Sequence, residues 1–243
     1  VGFTDSVGPD DVNLELSNAF LLIKRAHKFT PIIDSILSAE SVPLDFKYLA
    51  IIESGLQNVT SPAGAKGFWQ FMRSTAREFG LEVNRNVDER LNLVLATQAA
   101  AQYLKQAREE FGSWTLAAAA YNAGRTGIRR ELSRQEVSNY YDLLLNEETS
   151  RYVFRILAVK RLLEAPDQYG FQYSNDQLYQ RIPTKKIKVD TVVTDFVDFA
   201  QKFGINYKIL KIHNPWLREK HLNNASRKEY TISIPKPGIY SVP

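Results

Sequence analysis

The sequence predicts a mainly α protein: an all-α domain running to about Glu164, then a small α+β unit of strand–helix–helix–strand order. Three observations carry this. Apolar residues recur at helical spacing almost without a break from Asp10 to Glu164. Pro166 ends that regime, and Tyr, Asn, Gln and Lys dominate 167–190, as in a linker or docking segment. Beyond it, Lys186–Val189 and Tyr230–Ile234 alternate apolar and polar residues as strands do. Many short, closely spaced helices argue a globular helical domain. The chain divides on this reading into residues 1–175 and 176–243.

Each element follows from a local signal. Residues 1–10, with Gly2, Gly8 and Pro9, read as a loose end, and Asp11–His27 as one amphipathic helix. Thr30-Pro31 supplies an N-cap and a first-turn proline, which predicts a separate helix to Ala39. Ser41-Val42-Pro43 opens the next, closed by Glu53-Ser54-Gly55, with Gly55 at the left-handed capping position. Residues 56–70 read as a Gly- and Ser-containing loop, and Ser74–Phe79 as a short helix stopped by Gly80. Asn92–Phe111 is an Ala-rich helix closed by Gly112, and Ser113 caps Trp114–Asn122, closed by Gly124. Helices over about Arg134–Leu145 and Glu147–Glu164 complete the domain. In the second unit, Asp195–Phe203 and Tyr207–His213 are two short helices split by Gly204.

Composition narrows the function classes. At 243 residues and 44% hydrophobic, the chain can bury a substantial core, and no run approaches the roughly 20 apolar residues of a membrane span. No signal peptide begins at Val1. There is no cysteine, hence no disulfide and no thiolate metal site; His27, His213 and His221 lack ligand spacing, so neither metal nor cofactor is expected. Charge is uneven: residues 1–175 hold 19 Lys+Arg against 21 Asp+Glu, whereas 176–243 hold 12 against 6. The basic end suits an anionic partner such as a cell-wall polymer, a membrane face or nucleic acid, or is simply a solvated surface. A nucleic-acid role has no motif behind it.

Glu53 carries the strongest chemical signal. It closes the otherwise apolar helical run Tyr48–Gly55. Lost hydration and the negative end of the helix dipole both disfavour its charged form, which suits a general acid. Three further segments set polar groups among small and aromatic residues: Ser61–Gln70, Ala117–Gly124 and Glu148–Val153. Taken singly, each has a structural reading, as a helix-end ion pair, a turn cap or a core tyrosine.

Their order is specific. Glu53-Ser54-Gly55, then Ser61–Met72 (Ser-Pro-Ala-Gly-Ala-Lys-Gly-Phe-Trp-Gln-Phe-Met), then Ala119–Gly124 (Ala-Ala-Tyr-Asn-Ala-Gly), then Glu148–Val153 (Glu-Thr-Ser-Arg-Tyr-Val), resembles the lytic murein transglycosylases. The likeness is to the lysozyme-like catalytic domain they share with goose-type lysozymes. It is nearest to the membrane-bound type D group, which carries LysM modules, and covers roughly residues 30–165. The resemblance implies Glu53 as the catalytic acid/base. It implies Ser54, Phe68, Gln70, Met72, Tyr121, Asn122 and Tyr152 as substrate-binding or site-organising residues. Arg73 and Phe154 stand where the family commonly has proline.

Most glycosidases use two carboxylates, and no second acid here shares an apolar, motif-bound setting. Asp45 precedes the buried stretch, and Asp88 and Glu89 open a helix. The resemblance implies that the substrate's N-acetyl group and 6-hydroxyl replace the second carboxylate and water. A 1,6-anhydromuramyl end would result, by cleavage of the β-1,4 bond between N-acetylmuramic acid and N-acetylglucosamine. A goose-type hydrolase of the same bond and a non-catalytic wall-binding protein are the alternatives. Asp195–Trp216 with Tyr230–Pro235 resembles a LysM module, although Thr191-Val192-Val193-Thr194 stands where its Gly-Asp-Thr opening belongs. Glycan binding and buttressing of the catalytic domain are both open to it. The resemblance implies peptidoglycan strands as partner and a bacterial periplasmic or envelope location; attachment through an upstream lipid anchor stays open, and a monomer is expected.

Overall fold

The computed structural model describes residues 9–240, with side chains from Asn18 onward. Of the loose end expected at 1–10, residues 1–8 lie outside the described residues, and Pro9 already opens the first helix. The order is α1 (Pro9–Ala39), α2 (Lys47–Ser54), α3 (Arg73–Glu78), α4 (Leu93–Phe111), α5 (Trp114–Ala123), α6 (Arg125–Gln135) and α7 (Glu147–Glu164). Then come β1 (Thr184–Val189), α8 (Phe196–Gln201), α9 (Tyr207–His213) and β2 (Tyr230–Pro235). The strands pair antiparallel, Thr184 opposite Pro235 through Val189 opposite Tyr230.

Two expectations are corrected. The helices foreseen on either side of Thr30-Pro31 are one continuous α1 with Pro31 inside. Proline leaves the His27 carbonyl without its helical donor. The stripe Ile23, Ala26, Ile33, Leu37 is nevertheless buried along one face, and Thr30 Oγ1 bonds the Ala26 carbonyl at 2.8 Å. Packing overrides the local stop signal. The helix foreseen at Arg134–Leu145 instead lies earlier, as α6. Gly124 and Gly127 mask its start. Arg125 and Arg129 both pair with Glu110 of α4, and buried Ile128 anchors the helix; none of these contacts is local. Glu136, at φ 53°, closes it.

Alanine sets the geometry of the first core. Ala96, Ala99, Ala100, Ala101 and Ala107 on α4 and Ala117–Ala120 on α5 are buried. Small side chains let the two helices approach closely and leave room for Trp69, whose indole Nε1 donates to Thr97 Oγ1 at 2.9 Å. α7 packs across both α2 and α5. A second core joins β1, α8, α9 and β2 through Phe196, Leu210, Trp216, Leu217, Leu222 and Ile232. It also takes in Val87 and Leu91, which precede α4.

Candidate active site

α2 delivers Glu53 at its last turn. Gly55 takes the left-handed conformation (φ 59°) and returns its N–H to the Ile51 carbonyl at 2.8 Å. The Glu53 side chain is half-buried. Burial raises its pKa above the ordinary carboxylate value; a hydrogen bond from Tyr152 and the charge of Arg155 oppose that, and the charge of Glu148 adds to it. Among the described residues no cation lies within ion-pair distance of the carboxylate.

α7 supplies the partner. Tyr152, buried to 1% exposure, donates its hydroxyl to Glu53 Oε1 at 2.5 Å. Burial and then the Glu53 charge hold the Tyr152 phenol well above its usual pKa, so it stays a donor. Glu53 Oε2 makes no hydrogen bond among the described residues. The one buried side-chain polar atom there without a partner is Asp34 Oδ1, so Oε2 is open to the surface. With Oε1 accepting from Tyr152, Oε2 is the oxygen left to carry a proton when the carboxyl is protonated.

The remaining residues form a linked frame. The Ser54 hydroxyl is buried, 2.8 Å from the Phe68 carbonyl and 3.1 Å from that of Ala50, and ties α2 to the following loop. Gln70 sits at φ 49° and donates Nε2 to Gly67 O at 2.7 Å and Val59 O at 3.2 Å, and its Oε1 accepts no hydrogen bond among the described residues. Phe68 is buried edge-on against Phe29 at 4.9 Å. Met72 is 44% exposed at the mouth of α3. Tyr121 donates to the Trp69 carbonyl at 2.7 Å, and burial raises its pKa well above the usual phenol value. Asn122 accepts from Thr149 Oγ1 at 2.8 Å and donates to Glu148 Oε1 at 3.2 Å.

Sequence reasoning named Glu148 only as part of a motif and missed Arg155 and the bearing of both charges on Glu53. Glu148 and Arg155 flank Tyr152 on α7, four residues before and three after, and both act on Glu53. That spacing places them on the Tyr152 face of the helix, a signal available from the sequence once Tyr152 is paired with Glu53. Tyr152→Phe is expected to raise the Glu53 pKa further. The removed bond stabilises the charged carboxylate, and titration of the labelled Glu53 carboxyl by NMR reads the direction. A fall, or no change, would mean that Tyr152 does not govern this acid.

Among the described residues no cluster of three metal-ligating side chains occurs, and no helix is long and apolar enough to cross a membrane. Residues 32–143 match the family model of the transglycosylase SLT domain, and residues 185–238 that of the soluble lytic transglycosylase C-terminal LysM-like domain. Membrane-bound lytic murein transglycosylase D of Escherichia coli (strain K12) is 30% identical over 202 residues, covering 81% of this chain and 44% of that protein. The chain thus spans under half the length of this curated relative. The 70 kDa soluble lytic transglycosylase of Escherichia coli superposes over 63% of this chain and 27% of its own, with 23% identity and a TM-score of 0.47. Lytic transglycosylase Slt of Pseudomonas aeruginosa gives 21% identity and a TM-score of 0.46 over 62% of this chain and 26% of its own. The chain carries a transglycosylase SLT domain followed by a LysM-like domain, and it is homologous to membrane-bound lytic murein transglycosylase D.

Proposed function

We propose that this chain is a peptidoglycan lytic transglycosylase in the bacterial envelope, with Glu53 as its single general acid and base. Catalysis falls to residues 1–175, and 176–243 form the LysM-like module with its preceding linker. The observation that carries the reading is the state of one carboxyl. Glu53 is half-buried, its pKa is raised, Tyr152 holds Oε1, and Oε2 faces the surface. A raised pKa lets more of this carboxyl keep its proton as pH rises than an ordinary glutamate does, the direction a general acid needs.

In the proposed cycle the Oε2 proton passes to the glycosidic oxygen of the bound strand. The bond from that oxygen to C1 of N-acetylmuramic acid breaks, and the N-acetyl group supports the positive charge at C1. The glutamate then takes the proton of the same sugar's 6-hydroxyl, whose oxygen bonds C1. Glu53 is thereby reprotonated and no water is consumed. The 6-hydroxyl gains from intramolecular proximity, where effective molarities reach about 10⁵ M or more. Gln70 Oε1 and the exposed Met72 side chain suit contact with sugar hydroxyls and ring faces. Ser54, Phe68, Tyr121 and Asn122 hold that surface from behind.

Glu148 gives the hydrolytic alternative its one specific support, because it is a second carboxylate near Glu53. It is exposed and already accepts from Asn122. Mass spectrometry of digested peptidoglycan separates the two readings. Anhydro ends, lighter by one water, are expected; reducing ends would mean hydrolysis.

A further inference from the structure

Residues 82–91 form a strap with two faces. One face is docked on the C-terminal module. Asp88 N–H donates to the Trp216 carbonyl and Arg218 N–H to the Asn86 carbonyl, both at 2.9 Å. The Asn86 side chain donates to the His221 carbonyl and accepts from Asn223 N–H, both at 2.8 Å. Lys228 Nζ reaches Glu82 at 2.7 Å and Glu89 at 2.9 Å. Val87 and Leu91 complete the docking by entering the module's core.

The other face grips the segment that carries Gln70. Arg90, 3% exposed, forks onto Asp88 with two bonds of 2.8 Å. Its Nη1 donates to the carbonyls of Gly64 and Phe71, both at 3.1 Å. The Arg90 backbone carbonyl lies so close to Gly67 that a Cβ there would come within 2.0 Å of it. Asn58 Nδ2 donates to the Leu91 carbonyl at 3.2 Å. A buried ion pair costs its hydration, and a fully bonded one fixes a single geometry. Arg90 engages the carbonyls on either side of Gly67–Gln70, and Asp88 fixes Arg90.

We propose that Arg90 is a positioning residue that sets the segment presenting Gln70 and Met72, and that docking of the LysM-like module on residues 82–91 sets Arg90. The module then shapes the catalytic groove from behind, in addition to any contact of its own with glycan. That Gln70 and Met72 meet a sugar chain rests on the transglycosylase reading; that the module steadies residues 58–72 does not.

The test cuts the docking face and reads the far one. Asn86→Ala with Lys228→Met removes contacts to the module and leaves Asp88, Arg90 and residues 58–72 unaltered. Amide hydrogen exchange in the full chain at Lys66, Gly67 and Gln70 is expected to quicken by about tenfold, as for a locally loosened unit. On solubilised glycan, KM is expected to rise by about threefold or more while kcat stays within about twofold and its pH profile is unmoved. Arg90→Lys, which keeps the charge but lacks the guanidinium fork, is expected to loosen the same three amides with the module still docked. Should the double variant not fold, Asn86→Ala alone carries the same readout. Unchanged exchange at the three amides while residues 184–235 loosen would overturn the proposal, as would a wild-type Arg90→Lys protein. Exchange is read without substrate, so its failure is distinct from failure of the product analysis.

Discussion

Glu53→Gln is expected to lower the rate of peptidoglycan lysis by about 10³-fold, within the range that a positioned acid and base contributes, while leaving glycan binding intact. The amide keeps the size of the carboxyl and can still accept the Tyr152 hydroxyl, but its NH2 group is neither an acid nor a base at working pH. Turbidity loss of cell-wall suspensions reads the rate, and a pull-down of the same suspension reads binding. Lysis at the parental rate would remove Glu53 from the mechanism.

The same variant tests the electrostatics. The folded-state pKa of Glu53 is raised, chiefly by burial. A raised pKa means that the folded state holds the proton more tightly than the unfolded chain does. Its stabilising contribution is therefore complete below the unfolded value and is lost as pH rises through the folded one. Glutamine never ionises, so the variant is expected to gain in Tm relative to the parent as pH rises from acid to neutral. Thermal melts across that window check the sign. A variant that loses ground as pH rises would show that the carboxylate is favoured in the fold.

The second large effect is on stability. Gly67→Ala is expected to cost about 2–5 kcal/mol, combining left-handed backbone strain with overpacking against a neighbour that cannot swing aside. Gly67 stands at φ 81°, and the obstructing atom is the Arg90 carbonyl oxygen, 2.0 Å from the new Cβ. Gly64 is an internal control: its φ is 87°, yet among the described residues nothing lies within 4 Å of its Cβ position. Gly64→Ala should therefore show the backbone cost alone, about 1–2 kcal/mol. Chemical denaturation of both reads the difference. Equal losses would mean that Arg90 yields freely and does not brace the segment.

Much of the helical frame is legible in the sequence because its signals are local. Gly55 after Ser54, Ser113 before Trp114 and Gly112 after Phe111 act within one helical turn, and the structure places each where the local chemistry requires. Misreadings arose where a distant contact outvoted a local preference. Pro31 stays inside α1 because Ile33 and Leu37 are buried, and α6 forms over Arg125–Gln135 because Glu110 on α4 answers Arg125 and Arg129.

By itself, the amino-acid order determined the helical class of the chain, its small strand–helix–helix–strand unit, and the placing of the Glu53 carboxyl at the end of an apolar helical run. Only the tertiary structure decided which oxygen of Glu53 is free, that Glu148 and Arg155 bear on it, and that residues 82–91 join the two cores. The physical reason is range. Capping and periodicity are settled over a few residues, whereas Tyr152 lies 99 residues from Glu53 and Lys228 lies 139 from Glu89. Contacts of that span exist only once the helices have packed.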